Sequence, residues 1–139
     1  MEVIGYIEAI DLPELELFGL DAKIDTGADS CSIHCDEISI SSDGDTVTFL
    51  LHDDIHSSYH GKKITFPIAK RKKVKSSNGK SEERIFINSL LKLGCKTYQA
   101  EISLSNRENM KYPMLIGRRF MSHRYLVDVS HKFITKKEN

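Results

Sequence analysis

The residues best placed to do chemistry are Asp25-Thr26-Gly27-Ala28-Asp29. The run Ala22-Lys23-Ile24 reads as a strand that ends in a carboxylate. Gly27 permits a tight turn directly after it. Thr26 can hydrogen-bond across to a neighbouring loop and hold Asp25 in place. A carboxylate at the tip of a loop carried by rigid strands suits general acid/base work. By itself an Asp-Thr-Gly tripeptide is weak, because it also makes an ordinary turn.

Other clusters are less persuasive. His52, His56 and His60 recur every four residues and would align on a helix, yet Gly61 and the flanking strand patterns argue against a helix, and no His-Glu-x-x-His is present. Cys31-x-x-His34-Cys35 could supply soft ligands, but strand alternation sends His34 away from both thiols. Gly79-Lys80-Ser81 ends like a phosphate loop, but Val74 stands where its first glycine belongs. These features read as satisfied histidines, free thiols and a turn. The basic run Lys70 to Lys75 reads as a solvated strand end and loop. Asp128 reads as a strand-end hydrogen-bonding acid, and Met110, Met114 and Met121 as core or interface fillers.

The elements that must position Asp25 are strands. Val47, Phe49 and Leu51 share one face; so do Ile64, Phe66 and Ile68, then Tyr98, Ala100, Ile102 and Leu104, then Tyr125, Val127 and Val129. Further strands are expected at 3–9, 14–19, 21–25, 31–34 and 83–93. Turn signals separate them at Ser42-Asp43-Gly44, His60-Gly61, Asn78-Gly79 and Leu93-Gly94. One short helix is expected from Arg118 to Ser122. Many short strands with little helix predict an all-β barrel or sandwich.

A second stretch, Pro113-Met114-Leu115-Ile116-Gly117-Arg118-Arg119-Phe120, is an apolar strand running into glycine and then the helix. Together with Asp25-Thr26-Gly27-Ala28 it resembles the retropepsin-type aspartic proteases. The likeness is closer still to a bacterial family labelled ATP-dependent zinc proteases, which are retropepsin-like by fold. It extends through Val74 to Ser77, Gly79, Glu83-Arg84, Leu93-Gly94, Ser103-Leu104 with Arg107, Met110 to Phe120, and Leu126 to Ser130. Asp29-Ser30 departs from the bacterial pattern, where Arg-Thr is expected, and moves the loop toward the retroviral form.

The resemblance implies a closed retropepsin-like barrel over residues 1–139 with one short C-terminal helix. It implies Asp25 as catalytic acid/base, with Thr26 and Gly27 holding the loop. Ala28, Asp29, Arg118 and Arg107 would bind substrate, with Arg118 bracing Asp29; an internal ion pair is an equal reading for Arg107. Asp54, Ile55 and His56, within the segment 52–61, are expected to form the flap over the cleft. Aspartic proteolysis needs two facing carboxylates that share a proton. One Asp-Thr-Gly in 139 residues therefore predicts a homodimer with Asp25 from each protomer. No cofactor or metal is expected. The family's association with ATP-grasp ligases, which add glutamates to proteins or peptides, implies such a ligase as a partner and an acidic or glutamate-modified peptide as substrate. Two alternatives stand beside this: a non-catalytic peptide-binding partner of that ligase, and a zinc-dependent hydrolase.

Composition bounds these readings. Hydrophobic residues make up 40% of the chain and charged residues 29%, which is ordinary for a folded globular domain. No apolar run approaches the ~18–20 residues that cross a bilayer, and Met1 to Asp11 lacks the basic start of a signal peptide. A cytoplasmic protein with reduced thiols, free of nucleic acid and membrane, is expected. The net charge of zero hides a split. Residues 1–61 hold 14 acids and one Lys, and residues 62–139 hold 19 Lys/Arg and 6 acids.

Overall fold

The computed structural model describes residues 1–75, 79–106 and 110–135. These residues form twelve strands: β1 (Glu2–Gly5), β2 (Ile7–Leu12), β3 (Leu17–Ile24), β4 (Cys31–His34), β5 (Asp36–Ile40), β6 (Thr46–Leu50), β7 (Lys63–Pro67), β8 (Lys70–Lys75), β9 (Ser81–Leu93), β10 (Lys96–Ser105), β11 (Met114–Ile116) and β12 (Tyr125–Asp128). A four-residue helix, α1 (Arg118–Met121), precedes β12.

Hydrogen-bonded neighbours run β10-β4-β11-β3-β2-β9, and β9 pairs back to β10. That closes a six-stranded barrel, the all-β architecture that the strand patterning predicts. Closure leaves no free edge within the ring. β8 is appended to the outer half of β9. A three-stranded sheet, β5-β6-β7, lies beside the barrel, and β1 pairs in parallel with β12. Inward-facing side chains fill one core. Leu12, Leu17, Leu20, Ile33, Phe49 and Leu93 are among its fully buried members. The alternation of β6, with Val47 and Phe49 buried and Thr46, Thr48 and Leu50 part-exposed, is the period-two signature of a half-buried strand.

Three strand boundaries differ from expectation. The expected strand 3–9 is interrupted at Tyr6, between β1 and β2. The stretch 14–25 is a 3-10 turn at Pro13–Leu15 followed by one strand, β3, that continues through Gly19. Gly19 has φ +67° and donates its N–H to Asp11, so it forms a bulge within β3 instead of a break. The basic run is a full strand, β8. Its charge is offset by β9, where Arg71 meets Glu83 with Nε 2.8 Å from the carboxylate.

The last described residues are tied down by a buried carboxylate. Glu8 of β2 has no exposed surface. It accepts hydrogen bonds from the N–H of Gly5 at 2.7 Å and of Ile134 at 3.0 Å, and from the Thr135 hydroxyl at 2.7 Å. Removing it would orphan the buried Gly5 N–H and leave the Ile134 and Thr135 donors without their partner. Glu8→Ala is therefore expected to destabilise the fold by about 3 kcal/mol in urea unfolding. A loss below about 1 kcal/mol would show that the C-terminal segment does not depend on this carboxylate.

Candidate functional site

Asp25 is the first residue after β3, and the strand that fixes it comes from the far end of the chain. β11 threads between β3, to which it is parallel, and β4, to which it is antiparallel. Ile24 lies opposite Ile116. The Asp25 N–H donates to the Ile116 carbonyl at 2.9 Å. The loop 25–30 then folds on itself: the Ala28 N–H reaches the Asp25 carbonyl at 3.2 Å, and the Gly27 N–H reaches the Asp25 carboxylate at 3.0 Å.

Residues 117–119 close the loop from the other side. The Arg118 N–H donates to the Ala28 carbonyl at 2.8 Å and the Arg119 N–H to the Asp29 carbonyl at 3.1 Å. Gly117 passes so close to the loop that a Cβ there would lie 2.5 Å from the Ser30 carbonyl oxygen. The Arg118 guanidinium spans the loop. It donates to the carbonyls of Thr26 at 3.2 Å and Gly27 at 3.0 Å, and meets the Asp29 carboxylate at 2.5 Å. Both partners of that ion pair are more than half exposed, so the charge pair by itself contributes little to stability. Its value lies in fixing three loop groups with one planar fork.

Asp25 opens into a cleft of about 930 Å³. Asp25, Ala28 and Asp29 line its floor, Ile38 and Ile40 of β5 one wall, and the β8–β9 hairpin another. That hairpin brings Lys72, Lys73 and Arg84 to the cleft, and Arg119 joins them from α1. Among the described residues none of these four cations has a carboxylate partner. Thr26 and Gly27 stand exposed at the loop tip.

The segment 52–61 is elsewhere. Asp54, Ile55 and His56 do not line the cleft. His56 hydrogen-bonds the buried His34 with ring nitrogens 3.0 Å apart, the Tyr59 hydroxyl donates to the His34 carbonyl, and His60 bonds the Leu15 carbonyl at 2.9 Å. Turn-rich composition marks a loop without saying what it covers, and here the loop packs on the end of β4. The cleft wall is instead the basic hairpin that composition alone presents as a solvated surface. Arg107 lies outside the described residues.

The metal and nucleotide signals do not assemble. His52, His56 and His60 face three different partners. Burial pushes the Cys31 and Cys35 thiols up to about 11 and about 12, so neither is a ready thiolate ligand. Among the described residues, the group that brings three ligating side chains together is the half-buried His52 with the exposed Asp53 and Asp54. Gly79 and Lys80 lead into strand β9, not into the helix a phosphate loop requires. Among the described residues, neither the His52, His56 and His60 series nor Gly79-Lys80-Ser81 forms the site its spacing suggests.

A Ser-His-Asp grouping occurs after β12, but its geometry is wrong for a nucleophile. The Ser130 hydroxyl and the Asp128 carboxylate both meet the same nitrogen of His131, Nδ1, each at 2.9 Å. A relay needs them on opposite nitrogens. The Ser130 hydroxyl and N–H, then His131, hold the Asp128 carboxyl down at about 2.

A model of the RimB-like family, described as retropepsin-like aspartic endopeptidases, matches residues 3–138. The chain belongs to that family. Curated relatives include a probable alpha-L-glutamate ligase of Shewanella pealeana, 37% identical over 94% of this chain and 29% of its own length. Another, of Desulfotalea psychrophila with the same name, is 34% identical over 91% of this chain and 28% of its own. The chain thus spans under a third of the length of these relatives. The crystal structure of Lpg0085, a Legionella pneumophila protein of unknown function, superposes with a TM-score of 0.74 at 29% identity, covering 97% of this chain and 98% of that one. No helix among the described residues is long and apolar enough to cross a membrane.

Two outcomes are expected. Gly117→Ala forces a backbone shift in the Asp25 loop and is expected to cost about 2–3 kcal/mol by urea unfolding, whereas a neutral substitution would mean the close approach is not needed. Asp128 is expected to titrate at about 2 by NMR and to rise toward ~4 in Ser130→Ala. Its pKa is depressed in the fold. The stabilisation it gives is therefore complete above the unfolded value of ~4 and is lost as the pH falls through about 2.

Proposed function

We propose that the protein is an aspartic peptidase in which two copies of Asp25, one from each protomer of a homodimer, hydrolyse a peptide bound in the cleft. The observation that carries this reading is the Asp25 loop itself: a carboxylate at a cleft floor, held by Ile116 on one side and by the loop that Arg118 clamps on the other. With one proton shared between two carboxylates, one oxygen takes a proton from water as the water attacks the scissile carbonyl. The partner carboxyl donates its proton to the developing oxyanion. Like charges at close range favour the singly protonated pair. Each chain supplies one Asp-Thr-Gly, and the exposed Thr26 and Gly27 leave the loop tip accessible to a partner.

Two further assignments follow. The β8–β9 hairpin takes the role of the flap, since its two paired strands border the cleft. Ala28, Asp29 and Arg118 shape the floor on which an extended substrate lies. The substrate is an acidic, glutamate-bearing peptide. The unpaired Lys72, Lys73, Arg84 and Arg119 support this. So do relatives named as glutamate ligases, which also point to an ATP-grasp ligase as a partner.

A second reading draws on those same relatives. A barrel that matches 29% of a ligase-named protein could hold peptide for the ligase without cleaving it. One set of measurements separates the two. In the first reading, Asp25→Asn lowers turnover of glutamate-rich peptides by at least about 10²-fold, and added in excess it poisons wild-type protein through mixed dimers. No wild-type turnover, with ligase binding intact, would support the second. Full activity from a protein that sediments as a monomer at micromolar concentration would overturn the paired-carboxylate mechanism.

A further inference from the structure

Beside the Asp25 cleft lies a second, smaller cavity of about 120 Å³, room for about four waters. Ser30 and Arg119 border both cavities, so the smaller opens where the larger ends. Its other polar walls are Arg124, Gln99 and Glu101.

The charge in this cavity is unbalanced. Glu101 is already engaged by Lys70 at 2.8 Å. Among the described residues, neither Arg119 nor Arg124 has a carboxylate within ion-pair distance. Cys31, which also lines the cavity, stays a neutral thiol near pH 7 because burial pushes it up to about 11. Arg124 is held in place. Its guanidinium stacks 3.9 Å from the centre of the Tyr98 ring, and one nitrogen donates to the Phe120 carbonyl at 3.3 Å. Stacking orients the planar fork while leaving its remaining N–H groups free. Arg119, Arg124 and Ser30 thus border a space the size of one carboxyl-bearing side chain.

We propose that this cavity is a carboxylate-binding subsite, in which Arg119 and Arg124 take one carboxylate of the peptide lying in the Asp25 cleft. The carboxylate is a glutamate side chain or the free C-terminus of the peptide. This rests on the cleft binding peptide and does not need the cleft to cleave it.

The test uses the full chain carrying Asp25→Asn, so that bound peptide persists, at physiological salt. Fluorescent tetraglutamate with an amidated C-terminus is titrated by anisotropy, beside tetraglutamine as its amide and as its free acid. Arg119→Gln and Arg124→Gln are each expected to weaken the tetraglutamate amide about tenfold, the cost of one charge-assisted contact. Neither should change the weak binding of the tetraglutamine amide. An Arg-dependent gain confined to free-acid tetraglutamine would support the subsite with the C-terminus as its ligand. Equal losses for glutamate and glutamine amides, binding of both the tetraglutamate amide and free-acid tetraglutamine unchanged in the Arg variants, or no binding of any probe by the parent would each overturn it. Should Arg124→Gln not fold, Arg124→Lys and the exposed Arg119→Gln answer the same question. Arg-dependent binding together with no wild-type cleavage would sink the peptidase and leave the subsite standing.

Discussion

The structure depends on one act of threading. β11 enters between β3 and β4, and the residues beyond it, Gly117 to Arg119, hydrogen-bond the loop that those two strands launch. Asp25 is separated from Ile116 by most of the chain, so this contact forms only once the barrel has closed. The carboxylate's position is therefore a property of the folded barrel and not of the Asp-Thr-Gly turn. Gly117 is the price of that arrangement, because the loop carbonyls leave no room for a Cβ. Arg118 then uses the exposed side of the same junction to hold Thr26, Gly27 and Asp29 with one side chain.

What was legible in the sequence was what is local or strictly periodic. Period-two runs located β6, β7, β10 and β12, because alternation survives wherever one face meets the core. The two motifs around Asp25 and Gly117 were readable because each demands particular residue types. β5 was hidden by a bulge: Glu37 sits at φ 50° and the register against β6 shifts there, which breaks the period. β8 was hidden by its lysines, which read as solvated until β9 supplies an opposing Glu83. The segment 52–61 misled for a different reason. Its anchors, His34 and Leu15, are distant in sequence, and no property of the loop itself points to them.

The charge split between the two parts of the sequence resolves the same way. Lys62 pairs with Glu16, Lys63 with Glu37 and Arg118 with Asp29, each across the divide at residue 61. Lys70 and Arg71 find Glu101 and Glu83 within the basic part. The surplus is not spread evenly. Part of it lies at the cleft, where, among the described residues, Lys72, Lys73, Arg84 and Arg119 outnumber Asp25 and Glu82, none of them in an ion pair. A chain with no net charge thus carries a locally positive groove, so bulk charge says little about its ligands.

Within that groove the cations are not equivalent. Lys72 and Lys73 are exposed, and salt screens their fields over about 8 Å at physiological ionic strength. Flexible and hydrated, they act on the approach of an anion more than on its final pose. Arg124 is half-buried and fixed against Tyr98, so its fork keeps one direction whether or not a ligand is present. Discrimination needs a group that loses little freedom on binding and leaves a cost when its partner is absent. In the proposed subsite, steering therefore belongs to the β8 lysines and selection to the arginines that follow Gly117. On that proposal, the stretch of chain that fixes Asp25 from behind also supplies the charge that reads what is bound in front of it.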